Sequence, residues 1–341
     1  MRSKHAEYAH YLNKNGAYIV PPSVEIDMTN ACNQDCTYCN VVEFRNANND
    51  ATKIHDYHVL VERVKSWQAY VKGAVGNVNT ITFVGGGEPT ARKGYEYVVE
   101  QAVDTDLLVS IITNGSGLDR LQNLAEESVQ RISWIGVDID SGIPEIYERV
   151  RRSKQKGLFE KVKTNIQELT AIGVKIDIKG LLLEETASYE SIESMFQYCK
   201  DVGGRMVYLR LAQLAGGGVF DVSDEYVENI ELLAKKMDVV VRVNTTRMIT
   251  RNYTKCHALH LIPIFSADGN VYTCCESRGN PVFNLGSWLS ADFRDLWMSE
   301  RHRKMYRDVD VSICPSCRPN IHNIEIENLI ATETISDNLF F

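Results

Sequence analysis

Three cysteines lie close together near the amino terminus, at Cys32, Cys36 and Cys39. Their spacing, C-x3-C-x2-C, places three thiolates on one short loop and supplies no fourth ligand nearby. A tetrahedral structural zinc site takes four protein ligands, and a [4Fe–4S] cluster has four irons to ligate. Three thiolates on such a cluster leave one iron open. The spacing therefore indicates a cluster whose free iron binds a substrate or cofactor and passes it an electron.

A glycine-rich turn ends the run Ile-Thr-Phe-Val-Gly-Gly-Gly-Glu at residues 81–88. Because glycine has no Cβ, its backbone approaches a ligand closely and exposes N–H and C=O groups. This turn follows the second predicted strand, and the cysteine loop follows the first. In an open α/β sheet, ligands bind at the carboxyl ends of the strands, so we expect the two segments to share one site.

The cysteine spacing resembles that of the radical S-adenosylmethionine (SAM) enzymes, and the glycine turn resembles their Gly-Gly-Glu motif. The resemblance implies that the open iron binds the amino and carboxylate groups of SAM. Reduction then cleaves SAM to a 5′-deoxyadenosyl radical. It also implies that Tyr38 lies beside the adenine and that Gly86, Gly87 and Glu88 receive the methionyl ammonium. The weaker candidates are Asn114 and Ser141 for the ribose or carboxylate, Arg152 among Arg149, Arg151 and Arg152 for the carboxylate, and Leu181 for the adenine.

Five further cysteines lie in the C-terminal third of the chain. The pattern C-x12-G-x4-C followed by a C-x2-C pair resembles the twitch domain, the shortened relative of the SPASM domain of many radical SAM enzymes. The resemblance implies one auxiliary [4Fe–4S] cluster held by Cys256, Cys274, Cys314 and Cys317, with Cys275 as the alternative to Cys274. Because no cysteine follows Cys317, we expect no second auxiliary cluster. A four-thiolate zinc site is the alternative for this set.

Composition excludes several classes of protein. The 341 residues are 44% hydrophobic and 24% charged, which is typical of a soluble globular protein. The formal net charge of −8 argues against a nucleic-acid partner. No apolar stretch reaches the ~18 residues of a membrane span, and the amino terminus lacks the apolar core of a secretory signal. We therefore expect a cytoplasmic protein whose cysteines are metal ligands rather than disulfides.

The order strand, loop, helix repeats from about residue 23 to residue 215. The strand candidates are short and rich in Val, Ile or Leu on both faces, as expected for parallel strands covered by helices. Alternating βα units predict an α/β fold, a partial (βα)6 TIM-like barrel. The candidate strands are Ser23–Thr29, Thr80–Val84, Leu107–Ile112, Trp134–Asp140, Val174–Leu183 and Met206–Leu214, and the candidate helices are His58–Lys72, Leu118–Gln130, Phe159–Ala171 and Ser188–Asp201.

Three segments divide the chain: an N-terminal extension at 1–22, the radical SAM core at 23–237, and an auxiliary-cluster domain with a tail at 238–341. In the third segment, Asp268-Gly269 between short apolar runs predicts a β-hairpin. Phe293–Trp297 resembles the short helix that the family places before its last cysteines.

The predicted function is a radical SAM oxidoreductase that abstracts a hydrogen atom from a small polar substrate: a sugar, an aminocyclitol or a sugar nucleotide. A fully ligated auxiliary cluster suits removal of one electron from the substrate, and a twitch-domain dehydrogenase of an aminocyclitol is the family precedent. The electron donor is expected to be a flavodoxin or ferredoxin. The catalytic candidates lie near the mouth ends of strands five and six: Lys179, Tyr208, Arg210 and Gln213.

Two alternatives stay open at this point. One is a maturase that crosslinks, oxidises or epimerises a ribosomally made peptide. The short segment before the first strand has no room for a leader-binding domain, although a separate recognition protein would replace one. The other alternative is a non-catalytic cluster or zinc scaffold. A catalyst should hold about eight irons per chain and form 5′-deoxyadenosine from SAM and a reductant.

Overall fold

The structure is a computed structural model. Most of the predicted helix at His58–Lys72, and residues 1–20 of the predicted extension, lie outside the residues it describes; residues 61–66 are helical. Within the described residues, no helix has the length and apolar character needed to cross a membrane. The described residues are 21–48, 59, 61–66, 80–214, 218–297, 299–314 and 317–338.

A 10-stranded sheet organises the molecule, in the order β10-β9-β8-β1-β2-β3-β4-β5-β6-β7. Strands β1 to β7 pair in parallel with their neighbours, which confirms the predicted parallel α/β barrel. The strands are β1 (Ser23–Asp27), β2 (Thr80–Val84), β3 (Leu108–Thr113), β4 (Trp134–Asp138), β5 (Ile176–Leu182), β6 (Met206–Leu211), β7 (Val241–Asn244), β8 (Ile264–Phe265), β9 (Asn270–Tyr272) and β10 (Asn284–Ser287).

Helices connect successive parallel strands. The predicted helix at Leu118–Gln130 is divided into a 3-10 turn at Leu118–Asn123 and a short α-helix, while the other two described predictions hold to within a residue. The α-helices whose bounds both lie within the described residues are α1 (Val42–Ala47), α2 (Tyr95–Val103), α3 (Glu126–Gln130), α4 (Pro144–Arg151), α5 (Leu158–Ala171), α6 (Tyr189–Asp201), α7 (Asp224–Lys236), α8 (Phe293–Trp297), α9 (Glu300–Asp308) and α10 (Asn320–Asn338).

The seventh parallel strand, β7, was not predicted. It pairs with β6 in the register Tyr208↔Arg242 and Arg210↔Asn244. The parallel sheet therefore continues past residue 237, where the sequence pattern placed the end of the core. The division of the chain at that residue stays a prediction.

The two faces of the parallel strands differ, because successive side chains point to opposite faces. Val24 and Ile26 point outward and are almost fully buried under the helices. Glu25, Lys179 and Tyr208 point inward and line a cavity. The expectation of apolar residues on both faces is wrong for the inner face, since that face borders a cavity rather than a second layer of helices.

The C-terminal segment extends the barrel sheet instead of packing as a separate body. β8 pairs in parallel with β1, in the register Glu25↔Ile264. β8 and β9 form the predicted hairpin, with Asp268-Gly269 at its tip and Gly269 in a left-handed conformation. The predicted short helix is α8, whose Phe293 and Trp297 rings stack at 5.5 Å between centroids. Residues far apart in sequence are thereby brought against β1.

Candidate functional site

The three cysteines of the amino-terminal motif lie on the loop between β1 and α1, and each is half-buried. Cys32, Cys36 and Cys39 line a pocket of about 250 Å³ together with the glycine turn at 85–88. Burial raises the pKa of Cys32, and it raises the pKa of Cys36 to about 11. These thiols therefore keep their protons when no metal is bound, and a metal that coordinates them displaces those protons.

The donor set fits an iron–sulfur group with an open iron, since the loop offers three thiols and no more. Across the described ranges, no three His, Cys, Asp or Glu side chains are grouped to hold a single metal ion. The fit therefore rests on the chemistry of the donors and on the pocket that they share with the glycine turn.

The glycine turn is hydrogen-bonded directly to the cysteine loop. Gly87 donates its N–H to the Thr29 carbonyl at 2.9 Å, and Glu88 donates its N–H to the Ala31 carbonyl at 2.8 Å. A Cβ added at Gly87 would lie 2.0 Å from the Ala31 carbonyl oxygen, and one at Gly86 would lie 2.6 Å from a side-chain oxygen. Only glycine fits this approach, so the turn and the loop form one unit.

Replacing Gly87 with alanine should displace the cysteine loop, because the added methyl group overlaps the backbone of Ala31. A misplacement of about 1 Å costs about 100-fold in rate, and we expect that loss in 5′-deoxyadenosine formation by anaerobic protein. Gly218→Ala is the matched control, since nothing lies within 4 Å of a Cβ there. Equal rates in the two variants would show that the close packing of the turn is not required.

Glu88 has a structural task in addition to its predicted contact with SAM. Its carboxylate accepts hydrogen bonds from the Thr113 hydroxyl at 2.5 Å, the Asn114 N–H at 2.7 Å, and the hydroxyl and N–H of Thr90 at 2.7 and 2.9 Å. Burial raises the pKa of Glu88, and these donors oppose that shift. The carboxylate thus joins the ends of β2 and β3, while the peptide groups of 85–87 line the pocket.

A buried acid connects three elements around the pocket. The hydroxyl of Tyr38 donates to Asp140 Oδ2 at 2.5 Å, and Arg151 Nε lies 2.7 Å from the same oxygen. Asp140 Oδ1 accepts the Leu181 N–H at 2.9 Å. The Arg151 guanidinium also lies 5.7 Å from the centre of the Tyr38 ring. Tyr38 and Leu181, two predicted SAM contacts, are therefore held in place by the same carboxylate.

The fold brings one of three weaker predicted SAM contacts to the pocket and places the other two away from it. Asn114 lines the pocket, but of the described residues neither Ser141 nor Arg152 does. Ser141 is fully buried and hydrogen-bonded to the Ser191 hydroxyl at 2.9 Å. Arg152 is exposed in a left-handed conformation at the end of α4, whereas Arg151 is buried and reaches the pocket. Of the three arginines considered for the methionyl carboxylate, Arg151 is the one that lines the pocket, and the assignment of that role stays a prediction.

A larger cavity of about 670 Å³ adjoins this pocket on the inner face of the sheet. Lys179 and Arg210 line both spaces. Tyr208 lines only the larger one, where its hydroxyl accepts a hydrogen bond from Asn244 Nδ2 at 2.5 Å. Gln213 lines only the smaller one. The fold thus brings the four catalytic candidates to two connected spaces rather than to one point.

Lys179 is almost fully buried at the junction of the two spaces, with Nζ 3.7 Å from Asp138 Oδ1. Burial lowers the pKa of Lys179 to about 8, while the charge of Asp138 opposes this and that of Arg210 adds to it. A lysine with such a pKa exchanges a proton readily near neutral pH. The role of Lys179 as a general base stays a prediction.

The auxiliary cysteines form the other end of the larger cavity. Burial, with neighbouring thiols adding to it, raises the pKa of Cys256 to about 12 and that of Cys317 to about 11. Cys275 alone of these cysteines also lines the smaller pocket. The choice between Cys274 and Cys275 as a ligand stays a prediction. The cysteines that line this cavity are Cys256, Cys274, Cys275, Cys314 and Cys317.

Two arginines of the C-terminal segment neutralise the inward carboxylates of β1. Arg278 binds Asp27 with Nε–Oδ2 and Nη2–Oδ1 distances of 2.6 and 2.8 Å, and Arg318 Nη2 lies 2.8 Å from Glu25 Oε1. The sequence analysis missed this clamp. Its signal is the pair of acids at alternate positions of the strand Ser23–Asp27, which places two charges on one face.

Comparison with known proteins agrees with this geometry. The model of the Radical SAM superfamily matches residues 26–199, about half of the chain, and the model of an iron-sulfur cluster-binding domain, SPASM, matches residues 256–318. A probable GTP 3′,8-cyclase of Methanocaldococcus jannaschii is 24% identical over 243 residues, covering 70% of this chain and 72% of that protein. The curated relatives are matched over roughly half to three quarters of their lengths.

Solved structures share the fold. Streptococcus suis SuiB bound to its precursor peptide SuiA gives a TM-score of 0.69 at 13% identity, covering 89% of this chain and 70% of SuiB. The anSMEcpe structure with bound AdoMet and the Kp18Cys peptide gives 0.57 at 16% identity, covering 94% and 100%.

An α/β barrel with a three-thiol loop at the carboxyl ends of its strands defines a class of enzymes that bind an iron–sulfur cluster and SAM together. The chain belongs to the radical SAM superfamily. The predicted cofactors, a [4Fe–4S] cluster with SAM and an auxiliary iron–sulfur cluster, are confirmed by the two domain matches. The predicted enzyme class is confirmed with them.

Proposed function

We propose that this enzyme oxidises a carbinol carbon of a small polar substrate held in the larger cavity. The observation that carries the proposal is the continuity of that cavity. It begins at Lys179 and Arg210, which also line the SAM pocket, and reaches the auxiliary cysteines. Its volume of about 670 Å³ lies in the range of small-molecule sites. A substrate in the larger cavity would therefore lie between the SAM pocket and the auxiliary cysteines.

The oxidation removes a hydrogen atom, a proton and an electron from the substrate, which leaves a ketone two hydrogen atoms lighter. When bound, SAM and the two clusters supply the hydrogen-atom acceptor and the one-electron acceptor. Lys179 takes the proton, since its buried amine is partly neutral near its pKa of about 8. Burial of the substrate between barrel and C-terminal segment excludes water and fixes the reacting C–H bond.

Cationic side chains on β6 and β7 support a substrate with an anionic group. Nε of Arg210 is buried, and among the residues described it has no hydrogen-bond partner. Arg242 lies on the neighbouring strand of the same cavity wall. Guanidinium groups bind phosphate and carboxylate oxygens in pairs. A sugar nucleotide, whose phosphates would meet these arginines, is therefore the preferred substrate class.

The proposed electron donor is a flavodoxin- or ferredoxin-type protein, and the proposed compartment is the cytoplasm.

The relatives include GTP cyclases and an enzyme bound to a precursor peptide. The phosphates of a nucleotide would pair directly with the guanidinium groups of Arg210 and Arg242. A peptide would satisfy it only with acidic side chains placed to reach Arg210.

The proposal is tested by following the abstracted hydrogen. Anaerobic enzyme is given SAM, a reductant and a panel of sugar nucleotides deuterated on the sugar ring. Deuterium in 5′-deoxyadenosine, with a product that has lost two hydrogens of the ring carbinol, is expected for the substrate. If every nucleotide and sugar leaves 5′-deoxyadenosine unlabelled, while a deuterated peptide encoded beside the gene labels it, the enzyme is a peptide maturase.

The role of Lys179 predicts a pH dependence. The neutral amine is the base, so product formed per 5′-deoxyadenosine should rise with pH and level off above a pKa of about 8. Lys179→Met should lower this ratio about 100-fold or more. Lys179→Arg, which keeps the charge but holds its proton, should lower it as well. An arginine variant with the ratio and pH profile of the natural enzyme would exclude Lys179 as the base.

A further inference from the structure

A buried amide lies between two of the predicted auxiliary ligands. Asn323 of α10 is 0% exposed. Its Nδ2 lies 3.9 Å from Cys256 Sγ and 4.0 Å from Cys317 Sγ. An amide nitrogen carries two protons, so one is available for each sulfur. The two cysteines are far apart in sequence, and this single side chain bridges them.

A second contact determines which way the amide points. Asn323 Oδ1 accepts a hydrogen bond from the Ala258 N–H at 2.8 Å. If the amide were turned over, its NH2 group would face that N–H, and two donors would oppose each other. The orientation that satisfies the network is therefore the one that directs both N–H bonds toward the sulfurs.

A second donor faces one of these sulfurs. The hydroxyl of Tyr253 interacts with the Cys317 thiol and opposes the rise that burial causes in the pKa of that thiol. Tyr253 is also buried, at 6% exposure. Water therefore has little access to this side of the cavity, and the protein donors take its place.

We propose that Asn323 sets the reduction potential of the auxiliary cluster by donating hydrogen bonds to Cys256 and Cys317. Reduction adds one negative charge to the cluster and its sulfurs. N–H bonds that point at those sulfurs in a buried site stabilise the reduced form more than the oxidised form. Asn323 is a positioning residue, and it favours the acceptance of an electron. The inference rests on the predicted ligand set of the auxiliary cluster and not on the identity of the substrate.

The test is an anaerobic redox titration of the holoenzyme, followed by electron paramagnetic resonance. Added SAM alters the signal of the cluster that binds it, so the unaltered signal identifies the auxiliary cluster. Asn323→Leu removes both N–H donors at similar size and should lower the reduction equilibrium constant about tenfold, which corresponds to about 59 mV for one electron. Asn328→Leu, exposed on the same helix, should leave the potential unchanged.

A second variant keeps the test decisive if Asn323→Leu loses auxiliary iron. Tyr253→Phe removes only the hydroxyl that reaches Cys317 and should shift the potential in the same direction. Wild-type potentials in the iron-replete variants overturn the proposal. Failure of the proposed substrate oxidation would leave these potentials unaffected, so the two proposals are judged separately.

Discussion

Replacing Cys36 with alanine should abolish formation of 5′-deoxyadenosine from SAM and a reductant. Two thiolates cannot hold a [4Fe–4S] cluster that presents an open iron, and the pocket of the cysteine loop contains the glycine turn that would receive SAM. Iron per chain should fall by about half, because the auxiliary cysteines are untouched. The measurement is iron content together with 5′-deoxyadenosine by chromatography, under exclusion of oxygen.

Cys314→Ala is the matched control, since it removes the same side chain from the other cysteine group. It should also lose about half of the iron, yet it should retain slow cleavage of SAM while forming no product. Cys199→Ala, in the buried face of α6, should keep both clusters. Unchanged 5′-deoxyadenosine formation in Cys36→Ala would show that the cysteine loop does not hold the cluster that cleaves SAM. Unchanged product formation in Cys314→Ala would exclude the auxiliary cluster as electron acceptor.

Replacing Arg278 with methionine should destabilise the protein by about 3–5 kcal/mol, because it leaves a buried carboxylate without its partner. Asp27 is 0% exposed, and Arg278 binds both of its oxygens. Burial raises the pKa of Asp27, and Arg278 opposes that shift. Arg278 also donates to the Cys275 carbonyl at 2.6 Å, so its loss should loosen the auxiliary segment from β1. The readout is the denaturant midpoint of unfolding.

Two comparisons make the Arg278 result specific. Arg131→Met breaks an exposed pair with Asp104, whose side chains are 51% and 63% exposed, and should change stability by no more than about 1 kcal/mol. The double variant Asp27→Leu with Arg278→Met removes both charges and should recover much of the loss. An Arg278→Met midpoint equal to that of the natural protein would show that the clamp does not hold the two parts together.

The strands were predictable because each is a short run rich in Val, Ile or Leu and bounded by turns. Thr80–Val84 was predicted with its observed bounds. The four residues of β7, Val-Arg-Val-Asn, alternate apolar and polar side chains. They follow α7 and lie in the segment that contains the C-terminal cysteines, so they were assigned to that segment. Their pairing with β6 depends on contacts between strands and not on the local sequence.

The difference between Arg151 and Arg152 shows the limit of motif reasoning at this site. Adjacent residues on an α-helix point about 100° apart, and the helix ends between the two. Arg152 follows the last helical residue in a left-handed conformation, and its side chain is exposed. Arg151 remains on the buried side and binds Asp140. No spacing in the sequence distinguishes the two, because the distinction is the rotation of α4 against the sheet.

The sequence by itself determined the chemistry and the order of the elements. Ligand spacing within one loop, a glycine turn and alternating βα units are local properties, so they can be read along the chain. The tertiary structure alone decided which distant side chains come together: Lys179 lines one cavity with the auxiliary cysteines, Arg278 binds Asp27, and Asn323 lies beside two sulfurs. Such contacts depend on strand register and on the docking of the C-terminal segment against β1, which are set by the packing of residues distant in sequence.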